Sequence, residues 1–118
     1  MAEFVVGNIF VRAMGEQAQA VQPGETIPGH KHNFDHTSIF FNGRWRAKKF
    51  SPSGDLIVDI ERKGPFFLLI EAGCKHEFTY LADNTELGVA WCVYSHRTPQ
   101  GEVSQVETGW LAAYDMKG

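Results

Sequence analysis

Gly24-Glu25-Thr26-Ile27-Pro28-Gly29-His30-Lys31-His32-Asn33-Phe34-Asp35-His36-Thr37-Ser38-Ile39-Phe40-Phe41-Asn42-Gly43 is the stretch that decides the fold. Three of the chain's five histidines stand in it, at 30, 32 and 36. Side chains two apart on a strand share a face, so His30 and His32 can look into one interior. His36 can return to that interior after a bend at Asn33 to Asp35. Imidazoles are poor fillers of an apolar face, because each ring has two nitrogens to satisfy. A divalent ion satisfies one nitrogen on each ring at once.

Outward from this segment the pattern is all-β. Turn clusters at Gln22-Pro23-Gly24, Ser51-Pro52-Ser53-Gly54, Lys63-Gly64-Pro65, Ala82-Asp83-Asn84 and Thr98-Pro99-Gln100-Gly101 bound short apolar stretches. Strands are expected at Phe4 to Val11, Thr37 to Phe41, Phe66 to Ile70, His76 to Leu81 and Leu87 to Tyr94. A hairpin closing at Ser51 to Gly54 is expected to set Phe50 opposite Asp55, Arg46 opposite Asp59, Arg44 opposite Glu61 and Trp45 opposite Ile60. Opposite charges then share one face and apolar groups the other, although Ile57 interrupts the alternation. Ala13 to Val21 permits a short helix, against which Gly15 argues. Val103 to Tyr114 reads as a last strand or a covering segment.

The length of 118 residues, 43% hydrophobic and 21% charged, suits one domain over 1–118 with one core. A net charge of -3 leaves no dominant footprint for nucleic acid. The basic residues Arg44, Arg46, Lys48 and Lys49 have acidic partners within their own hairpin. No apolar run approaches the roughly 20 residues that span a bilayer, so no membrane partner is expected. Met1-Ala2-Glu3-Phe4-Val5-Val6 lacks the basic start of a signal peptide, and Cys74 and Cys92 make no disulfide framework. A cytoplasmic location is the expectation.

The spacing of Gly24, His30, His32, His36 and Gly43 resembles the first motif of the cupin family. That motif reads Gly, five residues, His, one residue, His, three or four residues, Glu, six residues, Gly. His36 stands where the family usually has Glu. The second motif begins about 20 residues later, and Gly73 and His76 match it. Glu71 replaces its Pro, Tyr80 replaces its Asn, and Pro65 falls on its leading Gly, one place after Gly64. The resemblance covers about residues 24–80, with motifs at 24–43 and about 64–80. It implies a cupin-type double-stranded β-helix, a small jelly-roll barrel. It also implies one divalent transition metal per chain (Fe, Mn, Ni, Cu or Zn), held by His30, His32, His36 and His76. Cys74 is an alternative ligand to His76, and His96 has no motif support.

Glu replaced by neutral His raises the formal charge of such a site from about +1 to about +2. That favours a small anionic ligand and removes the carboxylate best placed to act as a base. Glu25, Asp35, Glu71 and Glu77 are the remaining nearby acids, and no motif places them. Phe78 and Tyr80 share parity with His76, and Ser38 and Phe40 share it with His36. Trp91 is a further candidate for the wall, and Tyr80 for a catalytic proton donor. The resemblance implies a metal-dependent oxygenase, a cupin dioxygenase, acting on an enolisable or phenolic molecule. The alternatives are a non-redox isomerase, cyclase or lyase, and a non-enzymatic ligand-binding domain. A homodimer is expected, with Phe4 to Val11 at its interface, because a small barrel leaves edge strands to cover.

Overall fold

The structure is a computed structural model that describes residues 3–6, 9–15, 20–32, 35–95 and 115–116. For residues 3–6, 10, 30, 95, 115 and 116 it describes the backbone alone. The described residues form strands and no helix: β1 (Glu3–Val6), β2 (Ile9–Ala13), β3 (Thr26–His32), β4 (His36–Phe40), β5 (Arg44–Phe50), β6 (Leu56–Lys63), β7 (Phe66–Ile70), β8 (His76–Tyr80), β9 (Ala90–Ser95) and β10 (Asp115–Met116). One sheet has the order β1-β2-β9-β4-β7, and the other β10-β3-β8-β5-β6. All pairings are antiparallel. The architecture is all-β, as the sequence predicts. No helix among the described residues is long and apolar enough to cross a membrane.

Alternation decides which face of each strand is inside. On β4, His36, Ser38 and Phe40 are buried, and on β8, His76, Phe78 and Tyr80 are. β5 turns Trp45 and Ala47 inward. Phe40 of the first sheet meets Trp45 and Phe78 of the second, with ring centroids 5.0 and 4.9 Å apart. Burial of each such ring contributes about 1.5–3 kcal/mol, so the core draws on both sheets without any metal.

Several expectations need correction. The stretch Phe4 to Val11 is a hairpin of β1 on β2, with Val6 opposite Ile9. The dipeptide between them, Gly7-Asn8, is a hairpin signal that the apolar run concealed. The β5–β6 hairpin is also slipped by two residues, with Arg46 opposite Glu61 and Trp45 opposite Arg62. Phe50 pairs with Leu56 and Lys49 with Val58, so Ile57 is an extra residue in the ladder. A slip of two keeps every side chain on its face. Arg46 therefore still bonds both oxygens of Asp59, at 2.9 Å each. Strand β9 starts at Ala90, later than the expected Leu87. Ala13 to Val21, which only permits a short helix, has its described ends in β2 and in a bridge from Val21 to Gly88, while residues 16–19 lie outside the described residues. Residues 103–114 lie outside them as well.

Gly43, the last position of the first motif, turns the chain from β4 to β5 at φ +73. A Cβ there would lie 2.3 Å from the Tyr80 ring. Gly43→Ala should therefore lower stability by about 2–3 kcal/mol, seen as a reduced denaturant midpoint at unchanged slope.

Candidate metal centre

Between Ile27 and His30 the pairing of β3 with β8 gains one residue. Ile27 faces Phe78, but His30 faces His76. The extra residue falls at Pro28-Gly29. Proline has no N–H to give a ladder, and glycine bends freely, so the pair suits a bulge. The bulge changes the inward phase of β3 from odd to even. Ile27 packs on the core before it, and His32 is buried after it. The chain then crosses to the other sheet and enters β4 with His36 inward.

His32, His36 and His76 are 2%, 2% and 0% exposed. Each offers a ring nitrogen, and these ligating atoms lie within 4.8 Å of one another. Their ring centroids are 5.2, 5.3 and 4.9 Å apart. Nδ1 of His76 lies 3.1 Å from the carbonyl oxygen of Cys74. A carbonyl only accepts, so Nδ1 carries the proton and Nε2 keeps its lone pair. Nδ1 of His36 is 3.5 Å from Ser38 Oγ, which in turn contacts Cys92 Sγ at 3.6 Å. Phe78 tilts against His76 at 5.4 Å and forms the apolar floor. Three buried imidazoles from three strands, two of them (His36 and His76) oriented through Nδ1, form a donor set that could hold a divalent ion.

The turn after β7 is tied to the corner between β3 and β4. Gly73 N–H donates to the His32 carbonyl at 2.8 Å, and Ala72 N–H donates to Asp35 Oδ1 at 2.7 Å. Asp35 thus holds the turn that delivers His76. Glu25 accepts from Gln22 N–H at 3.0 Å, and Glu77 lies on the outward parity of β8.

His30 occupies the position on β3 opposite His76, while its side chain lies outside the described residues, as does all of His96. Tyr80 is not brought to the three imidazoles. It stands four positions along β8 from His76, roughly 13 Å on, with Phe78 between. There it packs on Trp45 at 4.7 Å. Burial pushes its hydroxyl pKa up, with a smaller push from Glu86. Trp91 is on the outer face of β9 and meets Phe41 at 4.9 Å, so it does not line the interior. Cys74 supplies its carbonyl to His76, while its thiol is buried in the apolar core. Burial pushes that thiol pKa up, and pushes Cys92 to about 11, so both favour the protonated form.

Lys49 was hidden among the basic residues of its hairpin, yet it is a core position. It is 8% exposed and stands opposite His76 on β5. The signal was its parity with Trp45 and Ala47. Its Nζ donates to the Leu69 carbonyl at 3.1 Å and to Glu71 Oε1 at 2.8 Å, tying the two sheets together at this end. The Lys49 hydrogen bond holds the Glu71 carboxyl below its usual range. A lowered folded pKa gives stability that is present above the unfolded value near 4.5 and lost as pH falls through the folded one. Half of the Glu71 side chain is exposed, so the contribution is at most about 1 kcal/mol. The stability gap between the native protein and Glu71→Gln should be constant from pH 7 to 5 and close below about pH 4.5, read by urea unfolding.

No family model matches the sequence, and no curated protein matches it. Solved structures do. Oxalate decarboxylase from Bacillus subtilis aligns over 80% of this chain and 23% of its own, at 14% identity and a TM-score of 0.61. YcfD, a ribosomal oxygenase from Escherichia coli, aligns over 72% and 21%, at 22% identity and 0.56. The capsular polysaccharide assembling protein CapF from Staphylococcus aureus aligns over 86% and 29%, at 18% identity and 0.60. The chain spans about a quarter of the length of these proteins. At such identities the likeness is one of fold, and the fold of this chain is the cupin jelly roll.

Proposed function

We propose that the chain is a metal-dependent cupin that binds one divalent transition ion through His32, His36 and His76, with His30 as a fourth ligand, and acts as an oxygenase on a small enolisable or phenolic anion. The observation that carries this reading is the set of three buried imidazoles with ligating atoms within 4.8 Å of one another. A bound ion supplies Lewis acidity and, where redox-active, electrons for the reaction of an electron-rich ligand with dioxygen. The chain's own residues do the rest. Cys74 and Ser38 orient two of the imidazoles, and Phe78 and Ile70 keep bulk water from the inner side. Neutral imidazoles leave the charge of the ion uncompensated, which favours an anion. The fold is shared with a decarboxylase whose Mn(II) centres are on record and with a ribosomal oxygenase, which supports a metal-centred reading.

Protein purified without an affinity tag or chelator should carry about one metal ion per chain by elemental analysis. His32→Ala should lose most of it while unfolding remains cooperative, and Ser38→Ala should weaken metal binding about 10–100-fold. Full metal retention in His32→Ala sinks the site. Iron-loaded protein given diketones and phenols should consume oxygen. Turnover with zinc and no oxygen uptake would move the assignment to a non-redox isomerase, cyclase or lyase, and tight binding without turnover to a ligand-binding domain.

The reading includes a homodimer. Among the described residues strand β1 ends its sheet, and on the outer face of the opposite edge strand Phe67 and Leu69 are 74% and 52% exposed. Large exposed apolar residues beside unpaired edges favour a covered surface. Sedimentation at micromolar concentration should give twice the 13.2 kDa chain mass. A monomer there would refute the dimer.

A further inference from the structure

Among the described residues, the buried ammonium of Lys49 has no part in the metal-site reading. Its residue pairs with His76 across β5 and β8, and directly opposed residues share a face with Cβ atoms about 4.5–5.5 Å apart. Its Nζ ends on the Leu69 carbonyl, and the next residue, Ile70, is the ladder partner of His36. The side chain therefore starts beside one imidazole and ends beside the strand pair that carries another. Its partner is lopsided, because the Lys49 side chain is 10% exposed and that of Glu71 is 50% exposed. A buried ammonium requires an anion. A half-solvated carboxylate is an anion that can swing into water at little cost.

We infer that Lys49 is a second anchor for the ligand: a ligand carboxylate docks on its ammonium in place of Glu71, while an enolate or phenolate oxygen of the same molecule faces the three imidazoles. This rests on the metal-site reading and narrows its substrate class to small molecules with a carboxylate beside an enol or phenol oxygen. The exchange keeps the charge balanced, since one carboxylate leaves the ammonium as another arrives. Glu71 then competes with the ligand, so the two members of one ion pair act with opposite signs.

The test uses zinc-loaded protein, so that no redox reaction intrudes, and two probes titrated anaerobically by calorimetry. Salicylate has a carboxylate beside a phenol oxygen, whereas catechol has two phenol oxygens and no carboxylate. Lys49→Met should weaken salicylate about tenfold or more and leave catechol within about threefold. Lys49→Arg should retain salicylate, because it keeps the charge. Glu71→Gln should strengthen salicylate several-fold and leave catechol unchanged; it also keeps the inference falsifiable if Lys49→Met fails to fold. A purely structural ion pair predicts that both variants shift both probes in the same direction, and that result overturns the inference. Zinc uptake with salicylate binding absent, or indifferent to residue 49, overturns this inference alone. No zinc uptake by the native protein overturns the metal site together with it.

Discussion

The single extra residue at Pro28-Gly29 sets the phase of everything that follows it on β3. A strand has only two faces, and an uninterrupted strand that places Ile27 in the core would place Lys31 there too. The bulge exchanges that lysine for His32. It does so just before the chain leaves one sheet for the other, so the next inward residue described, His36, arrives from the opposite wall. Strand β8 supplies the third imidazole from a position directly across the ladder from the bulged strand. One local backbone irregularity thus turns His32 inward to join His36 and His76, which their own strands already place inside.

The two ends of the barrel carry different burdens. At one end Tyr80, Trp45 and Phe40 form an aromatic plug, closed by glycines too tight to accept a side chain. At the other end are imidazoles, an inward ammonium and a hydroxyl. Stability resides mainly in the first end, where apolar burial is concentrated. The polar end can then hold groups that would be costly in a core of their own. Asp35 and the turn after β7 keep that end in shape through backbone hydrogen bonds.

The sequence carried much of this in plain view. Alternation placed His76, Phe78 and Tyr80 on one face, and the spacing from Gly24 to Gly43 located two of the three clustered imidazoles. What it concealed were changes of phase. Ile57 broke the alternation of its strand, and only the ladder reveals it as an extra residue. Phe4 to Val11 is two paired strands where the sequence reads as one. Trp91 could not be assigned to a face, because the start of β9 fixes the parity and its turn residues do not mark that start. Lys49 was obscured for a different reason. Charge suggests solvent, and an inward lysine becomes visible only when the groups that satisfy it, the Leu69 carbonyl 20 residues on and the Glu71 carboxylate 22 residues on, are brought near.

His32 and His76 belong to one sheet and His36 to the other. Any ion held by all three is therefore a rivet between the two walls, and it has no counterpart in the unfolded chain. Ligand linkage makes the heat stability of the barrel a gauge of occupancy. An ion at a hundred times its dissociation constant adds about 2.7 kcal/mol, and one at a thousand times adds about 4.1. The melting curve of this small domain can thus rank candidate metals by affinity even when no reaction is yet available to assay.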